Sequence, residues 1–394
     1  MRQIRICGDD EMERIKLGDL CNPSQGQIKE QPDALIDYID ISAVDNESKT
    51  VTGYQTMTFG ESPSRARKRV QKGNILVSTV RPNLNAVAVL ENDTPNITVA
   101  STGFCVLDCR KTVDKRFVFN FCKSRAFIDA MVSQATGASY PAVSDKIVRS
   151  ALIPVYSYKE QRSIGEVLDR VSGIIEKRKH ELTEMDELIK ARFVELFGDM
   201  ILNPNGWEQS SLGKVCDVRD GTHASPKYYM EGYPLVTSKN VTSGKIDFSD
   251  CSLICEDDYE KINQRSKVDY GDILMPMIGT VGNPVIVDVE PKFAIKNVAL
   301  IKFYEDSSVL NTFVKGLLES DYFDRAVISK VRGGTQKFIA LGNIRELQIS
   351  IPPMNIQLDY QYFVQQVDKS KAAVQKSLDE TQLLFDSLMQ KYFG

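Results

Sequence analysis

Residues 159–198 read KEQRSIGEVLDRVSGIIEKRKHELTEMDELIKARFVELFG. Apolar side chains recur at Ile164, Leu168, Val171, Ile175, Leu182, Met185, Ile189 and Leu196, and inserting Arg178 and Arg192 completes an unbroken 4-3-4-3 spacing. That spacing keeps one stripe of a helix turned toward a partner helix. The same seam returns 196 residues later (360 − 164) as Tyr360, Val364, Val367, Lys371, Val374, Leu378, Thr381, Phe385, Leu388 and Tyr392. Its polar positions fall elsewhere: Arg178 matches Val374, and Lys371 matches Ile175. A polar residue in a seam fixes register at a cost in stability. Arg178, Arg192 and Lys371 are therefore candidate register residues. On that hypothesis Lys371→Leu raises thermal stability and loosens the spacing between the parts the helices hold; an unchanged spacing would sink it.

The rest of the chain repeats with the helices. Leu17-Gly18-Asp19 returns as Leu212-Gly213-Lys214, Lys72-Gly73-Asn74-Ile75-Leu76 as Tyr270-Gly271-Asp272-Ile273-Leu274, and Leu152-Ile153-Pro154 as Ser350-Ile351-Pro352. Each copy is a globular portion followed by one long helix. Strands are predicted at Gly73–Ser78, Asn85–Leu90 and Ser101–Leu107, and at Gly271–Met275, Pro284–Val287 and Lys296–Ile301. A helix is predicted over Lys115–Ser133 and another over Ser308–Ser329, each followed by a glycine-bearing loop. The expected architecture is α+β: two strand-rich domains in tandem, separated by two long helices packed as an antiparallel coiled coil with a pseudo-twofold axis. The expected divisions are 1–157, 158–198, 199–355 and 356–394. A helix of roughly 35 to 40 residues is about 55 Å long, so such a pair suits half-sites one or more DNA turns apart.

Composition narrows the class. Hydrophobic residues make up 42% and charged residues 26% of 394, an ordinary globular balance. No apolar run is long enough to span a membrane, and the first residues lack a signal-peptide core, so a cytoplasmic location is expected. The net charge of −4 leaves any DNA contact to local basic patches. The eight cysteines include no Cys-x-x-Cys pair, which argues for reduced thiols over a zinc site.

Together these residues resemble the DNA-specificity subunit of type I restriction–modification systems, from about Glu13 to Gly394. Asp220-Gly221-Thr222-His223-Ala224-Ser225-Pro226-Lys227-Tyr228 looks like the opening loop of that family's target recognition domains, and Pro234–Val241 like the strand after it. Gly334-Thr335-Gln336-Lys337 through Pro353 resembles the stretch closing such a domain, and Glu160-Gln161 resembles the family's helix start. The second copy departs with Ile356-Gln357-Leu358, and the first has Asn22-Pro23-Ser24-Gln25-Gly26 in place of the Gly-Thr-His loop. The resemblance implies a chain without chemistry of its own. Each target recognition domain would read one half of a bipartite double-stranded DNA target. The helices would set the spacing and dock two methylation subunits, and restriction subunits would complete the complex. S-adenosylmethionine, ATP and Mg would belong to those partners.

The residues agree with that division of labour. No Asn/Asp-Pro-Pro-aromatic loop and no phosphate loop occurs. Two alternatives remain open at this point: a self-contained metal-dependent nuclease built on Asp33, Glu47 and Lys49, and a protein–protein scaffold that does not bind DNA. Candidate DNA contacts in the first copy are the basic run Arg65, Arg67, Lys68 and Arg69; the turn carrying Thr79, Arg81, Asn83 and Asn85; and the loop with Ser139 and Tyr140. Lysine and arginine neutralise phosphates, while arginine suits guanine and asparagine suits adenine in the major groove. Candidates in the second copy are Thr222, His223, Ser225, Lys227, Lys239, Asn240, Thr280, Asn283, Arg332, Thr335, Gln336 and Lys337. His223 alone fits a structural role better than base reading.

Overall fold

The computed structural model describes residues 13–24, 26–29, 31–241, 244–278, 282–328 and 338–394. It divides into two compact units. Unit 1 joins the residues up to Lys179 with Lys376–Gly394, and unit 2 is His180–Gln375. The division passes through both long helices, not between helix and globular portion, because each unit packs half of each helix into its own core.

In unit 1 the strands are β1 (Arg14–Lys16), β2 (Leu35–Ile39), β3 (Gln55–Thr58), β4 (Ala66–Arg69), β5 (Ile75–Ser78), β6 (Val87–Val89), β7 (Ile97–Ser101), β8 (Phe104–Leu107) and β9 (Leu152–Pro154). They form a sheet in the order β3-β2-β7-β4, a second in the order β6-β5-β8, and the pair β1-β9. Alternation along the second sheet sets up the layers. Ile75, Val77, Cys105 and Leu107 face a core shared with the helices, whereas Leu76, Ala88 and Phe104 face a core shared with Ile39 and Ala100 of the first sheet. The helices are α1 (Lys115–Lys123), α2 (Arg125–Ser133), α3 (Asp145–Ser150) and the first half of α4 (Tyr158–Phe197). The single helix expected over Lys115–Ser133 is thus two. Ser124 breaks it by taking an extended conformation and accepting from the Phe127 N–H as the cap of the second helix.

Unit 2 repeats the plan with β10 (Gln209–Ser211), β11 (Cys216–Asp220), β12 (Tyr233–Thr237), β13 (Ser252–Ile254), β14 (Ile273–Pro276), β15 (Val285–Ile286), β16 (Ala294–Lys296), β17 (Val298–Phe303) and β18 (Gln348–Ser350). The sheets are β13-β12-β16, β11-β17-β14-β15 and β10-β18. Its helices are α5 (Leu212–Val215), α6 (Glu256–Ser266), α7 (Asn311–Leu318), α8 (Asp321–Ala326), α9 (Leu341–Arg345) and the first half of α10 (Met354–Phe393). Here too the helix expected over Ser308–Ser329 is divided, at Ser320.

Within each unit the helix halves pair antiparallel. In unit 1, Ile164 and Leu168 share a core with Met389 and Phe393, while Arg178, further along α4, donates to the Ser377 carbonyl and the Thr381 hydroxyl. In unit 2, Lys371 pairs with Asp186, and Phe193, further along α4, lies 5.6 Å from Tyr360, ring to ring. Arg178 and Lys371 are therefore polar ties across the seam. Arg192 pairs instead with Glu195 of its own helix and meets α10 only as a cation over the Phe363 ring. The aromatic end of each helix closes a core. Phe393 packs on Phe117 and Phe121, and Phe197 on Phe313 and Tyr360.

A buried glutamine fastens each helix start. The Gln161 amide oxygen accepts from the Asp114 N–H, and its nitrogen donates to the Tyr156 carbonyl. Gln357 does the same with Leu310 and Pro352, and also reaches Ser308. The departure Ile356-Gln357-Leu358 therefore changes the flanking residues and retains the fastening one. Among the described residues, no helix is long and apolar enough to cross a membrane.

Candidate nucleic-acid interface

Two constellations form at one place in the repeated plan, the turn between the parallel-paired strand and the strand that follows it. In unit 1 that turn runs from β7 to β8 through Gly103. In unit 2 it runs from β16 to β17 through Asn297, which holds a positive φ of 55°.

In unit 1 the turn supports the loop after β5. Thr79 donates through both its backbone N–H and its hydroxyl to the Gly103 carbonyl. Arg81, at φ 49°, donates its N–H to the Pro141 carbonyl, and its guanidinium lies 4.7 Å from the Tyr140 ring centre. Val80 bridges to Ala142. Two loops that the sequence nominated separately are thus one surface. On it Tyr140 is 68% exposed, and Ser139 and Asn83 are exposed beside it. Arginine stacked on an aromatic ring keeps its donors in one plane, the form that suits a guanine edge or a phosphate.

Other nominated residues are committed elsewhere. Asn85 is buried, donates to the Cys122 carbonyl, and accepts from Lys49. Thr79 is buried under its own turn. The basic run is strand β4 with its entry. Its side chains alternate, so Lys68 points inward to Asp145 and the Phe104 carbonyl. Arg65 is tied to Asp40 and the Tyr38 hydroxyl, and Arg67 lies over the Phe59 ring. Arg69 stands exposed at the strand end. Asn85, Thr79 and Lys68 are accordingly framework residues, a correction to their reading as DNA contacts.

In unit 2 the equivalent turn supports the loop after β11. His223 Nδ1 lies 2.7 Å from Asn297 Oδ1, and Nε2 lies 2.8 Å from Asp220 Oδ2. Two acceptors facing the two ring nitrogens favour the imidazolium, and these contacts with Asn297 and Asp220 hold its pKa above the ordinary histidine value. Arg265 of α6 binds the other Asp220 oxygen. Lys296 donates to Ser225 at 2.8 Å, the Thr222 hydroxyl accepts from the Ala224 N–H, and Lys227 lies over the Tyr229 ring. Asn283 is exposed at a positive φ of 54°. Asn240 is not a contact: it is buried, accepts from Thr237 and donates to the Asp247 carbonyl. Lys239 pairs with Asp250. Thr280, Arg332, Thr335, Gln336 and Lys337 lie outside the described residues.

Asp220, Arg265, Lys296 and Asn297 were missed as site residues. An asparagine between two strand-forming stretches, at Lys296-Asn297-Val298, marks a left-handed turn and was the available signal.

The nuclease reading finds no assembled site. Glu47 and Lys49 line a cleft of about 750 Å³ in unit 1, but Asp33 does not. Glu47 pairs with Lys179, and the Lys49 ammonium donates to the Asn85 carbonyl. Among the described residues, no group of three or more His, Cys, Asp or Glu is placed to hold a metal ion.

A sequence model of the type I restriction modification DNA specificity domain matches residues 9–184 and again 204–381. The chain belongs to that family. It is 23% identical over 354 residues to the type I restriction enzyme MjaIX specificity subunit of Methanocaldococcus jannaschii, spanning 81% of this chain and 76% of that one. It is 22% identical over 319 residues to the EcoKI specificity subunit of Escherichia coli, spanning 74% and 67%. Among solved structures, the S subunit of a type I system from M. genitalium superimposes with a TM-score of 0.57 at 15% identity, covering 99% of this chain and 98% of that one. A chain from a study of assembly and conformational transition of the type I R-M system gives 0.60 at 24% identity, covering 97% of each. Both likenesses concern the fold.

Proposed function

We propose that this specificity-family chain reads a bipartite duplex, with each unit contacting one half through its turn-centred surface. The observation that supports this is the pairing of one framework with two different surfaces. Arg81 and Tyr140 stand over the turn at Gly103, whereas His223, Ser225 and Lys296 stand around the turn at Asn297. A duplicated frame with distinct polar rims suits two unlike half-sites. The chain itself carries no chemistry. Methylation subunits, two as the family resemblance implies, bring S-adenosylmethionine and dock on the helices; restriction subunits bring ATP and Mg.

Methylation sequencing of DNA from cells carrying this chain with its methylation subunit tests the reading. A split methylated motif is expected, with Arg81→Ala altering one half and His223→Gln the other. Absence of a split motif, or a single substitution that rewrites both halves, overturns it.

A further inference from the structure

Cys21 and Cys109 face each other across an antiparallel bridge in unit 1. The flanking hydrogen bonds run from the Asn22 N–H to the Asp108 carbonyl at 2.7 Å and from the Arg110 N–H to the Leu20 carbonyl at 3.0 Å. That pattern defines a non-hydrogen-bonded pair, in which the Cα atoms approach to about 4.5 Å and the side chains lie on the same face. A disulfide accepts Cα separations of roughly 4.4–6.8 Å, so the backbone already stands where the bond requires it. The neighbouring Cys109 side chain holds the Cys21 thiol below its ordinary value, and Cys21 together with burial pushes the Cys109 thiol up.

Unit 2 supplies the contrast. Its equivalent pair is Cys216 opposite Phe303, the first rung of a ladder that continues through Asp220 opposite Ala299. In unit 1 the pairing is the isolated bridge at Cys21, after which the chain leaves toward Pro23 and Ser24. The thiol pair thus sits where unit 1 lacks the ladder that roots the corresponding loop in unit 2.

We propose that Cys21 and Cys109 are a reversible redox pair, whose disulfide pins the root of the loop at Asn22 in unit 1 and has no counterpart in unit 2. The oxidant class is a small-molecule disulfide, RSSR. Cys109 is the partly exposed member, so RSSR reaches the pair from its side, while Cys21, 1% exposed, is the thiol held lower. One of the two thiolates attacks RSSR, forming a mixed disulfide and expelling one RS⁻. The other thiolate then attacks that cysteine's sulfur and expels the second RS⁻. The two cysteine protons end on two released RSH molecules, and two electrons pass from the protein to the reagent. Reduction by a dithiol reverses both steps.

The test uses the full chain, reduced, freed of reductant and then exposed to oxidised glutathione. The expected product has lost two hydrogens, yields a Cys21–Cys109 linked peptide on digestion, and returns to the dithiol with dithiothreitol. Because the bond closes a loop of 88 residues (109 − 21), unit 1 of the oxidised chain is expected to melt roughly 5–10 °C higher. Cys109→Ser loses both the linked peptide and the shift; Cys109→Val, which keeps the site apolar, serves if the serine variant does not fold. Cys216→Ser keeps both. A Cys109 that stops at the glutathione adduct, or a linked peptide joining Cys109 to Cys122, overturns the proposal.

Discussion

The two units share a chassis and differ at its rim. In both, a short element beginning at Leu17 or Leu212 packs against a helix with arginine in its last turn, and glycine makes the approach possible. A Cβ on Gly18 would meet the Arg149 carbonyl at 3.1 Å, and one on Gly213 the Arg345 carbonyl at the same distance. Both bury a glutamine at the helix start and a phenylalanine at the end of the incoming helix. The rim departs from this likeness. Unit 1 closes its first sheet with strand β4, where unit 2 has helix α6 at the corresponding point of the chain. Unit 1 stacks an arginine on a tyrosine, and unit 2 clamps a histidine between an aspartate and an asparagine. Framework residues meet the same neighbours in both copies and so cannot change singly. Rim residues meet solvent, and their neighbours constrain them less.

The comparison is broken most severely at the aromatic closures. Phe393→Ala and Phe197→Ala each remove a buried ring, and each is expected to cost about 3–5 kcal/mol. Hydrogen exchange should show protection lost in unit 1 for the first and in unit 2 for the second; loss in both units from either would refute the claim that each core is closed separately. Next come the glutamines. Gln161→Leu strands the Asp114 N–H, and Gln357→Leu the Leu310 N–H, at about 1–3 kcal/mol each in urea unfolding. Unequal costs would mean the two fastenings are not equivalent.

At the rim the expected effects are on binding. Arg81→Ala should weaken the first half-site by roughly tenfold and leave the second unchanged, read by competition with half-site variants. His223 sharpens the contrast through pH. Its folded pKa is raised above the ordinary value, so its contribution to stability is complete below that ordinary value and is lost as pH climbs through the folded one. The imidazolium also adds a positive charge to the unit 2 surface at low pH. Second-half affinity should therefore fall as pH rises through the raised pKa, and His223→Gln should flatten that profile; an identical profile in the variant would remove histidine from the interface. The smallest effect belongs to the seam. The Lys371–Asp186 pair is partly exposed, so Lys371→Leu should change stability by about 0–1 kcal/mol in thermal unfolding.

The repeat, the two long helices and their seam were legible because heptad spacing and duplicated anchors are properties of sequence alone. Gly198 is the stop signal of the first long helix; that Phe197 and Phe393 each enter a core became visible only with the packing. The candidate surface was legible in part. Arg81 and Tyr140 were both nominated, but their stacking depends on a bridge between residues 62 apart (142 − 80, Val80 to Ala142), which no local pattern reveals. Asn85 and Asn240 read as contacts because a polar residue in a turn looks the same whether its amide faces water or a buried carbonyl. Lys68 misled for a related reason: in a run of four basic residues, only strand alternation separates the inward lysine from the outward arginine. The breaks at Ser124 and Ser320 interrupt an otherwise helical apolar pattern with a single small residue.

Phe393 fills the core of unit 1, whereas unit 2 is assembled from residues 180–375. During synthesis the ribosome therefore delivers everything unit 2 requires before it delivers the plug for unit 1. The lobe that begins first is the lobe that matures last. Loss of Phe393 would spare the lobe nearer to it in sequence and unseat the farther one.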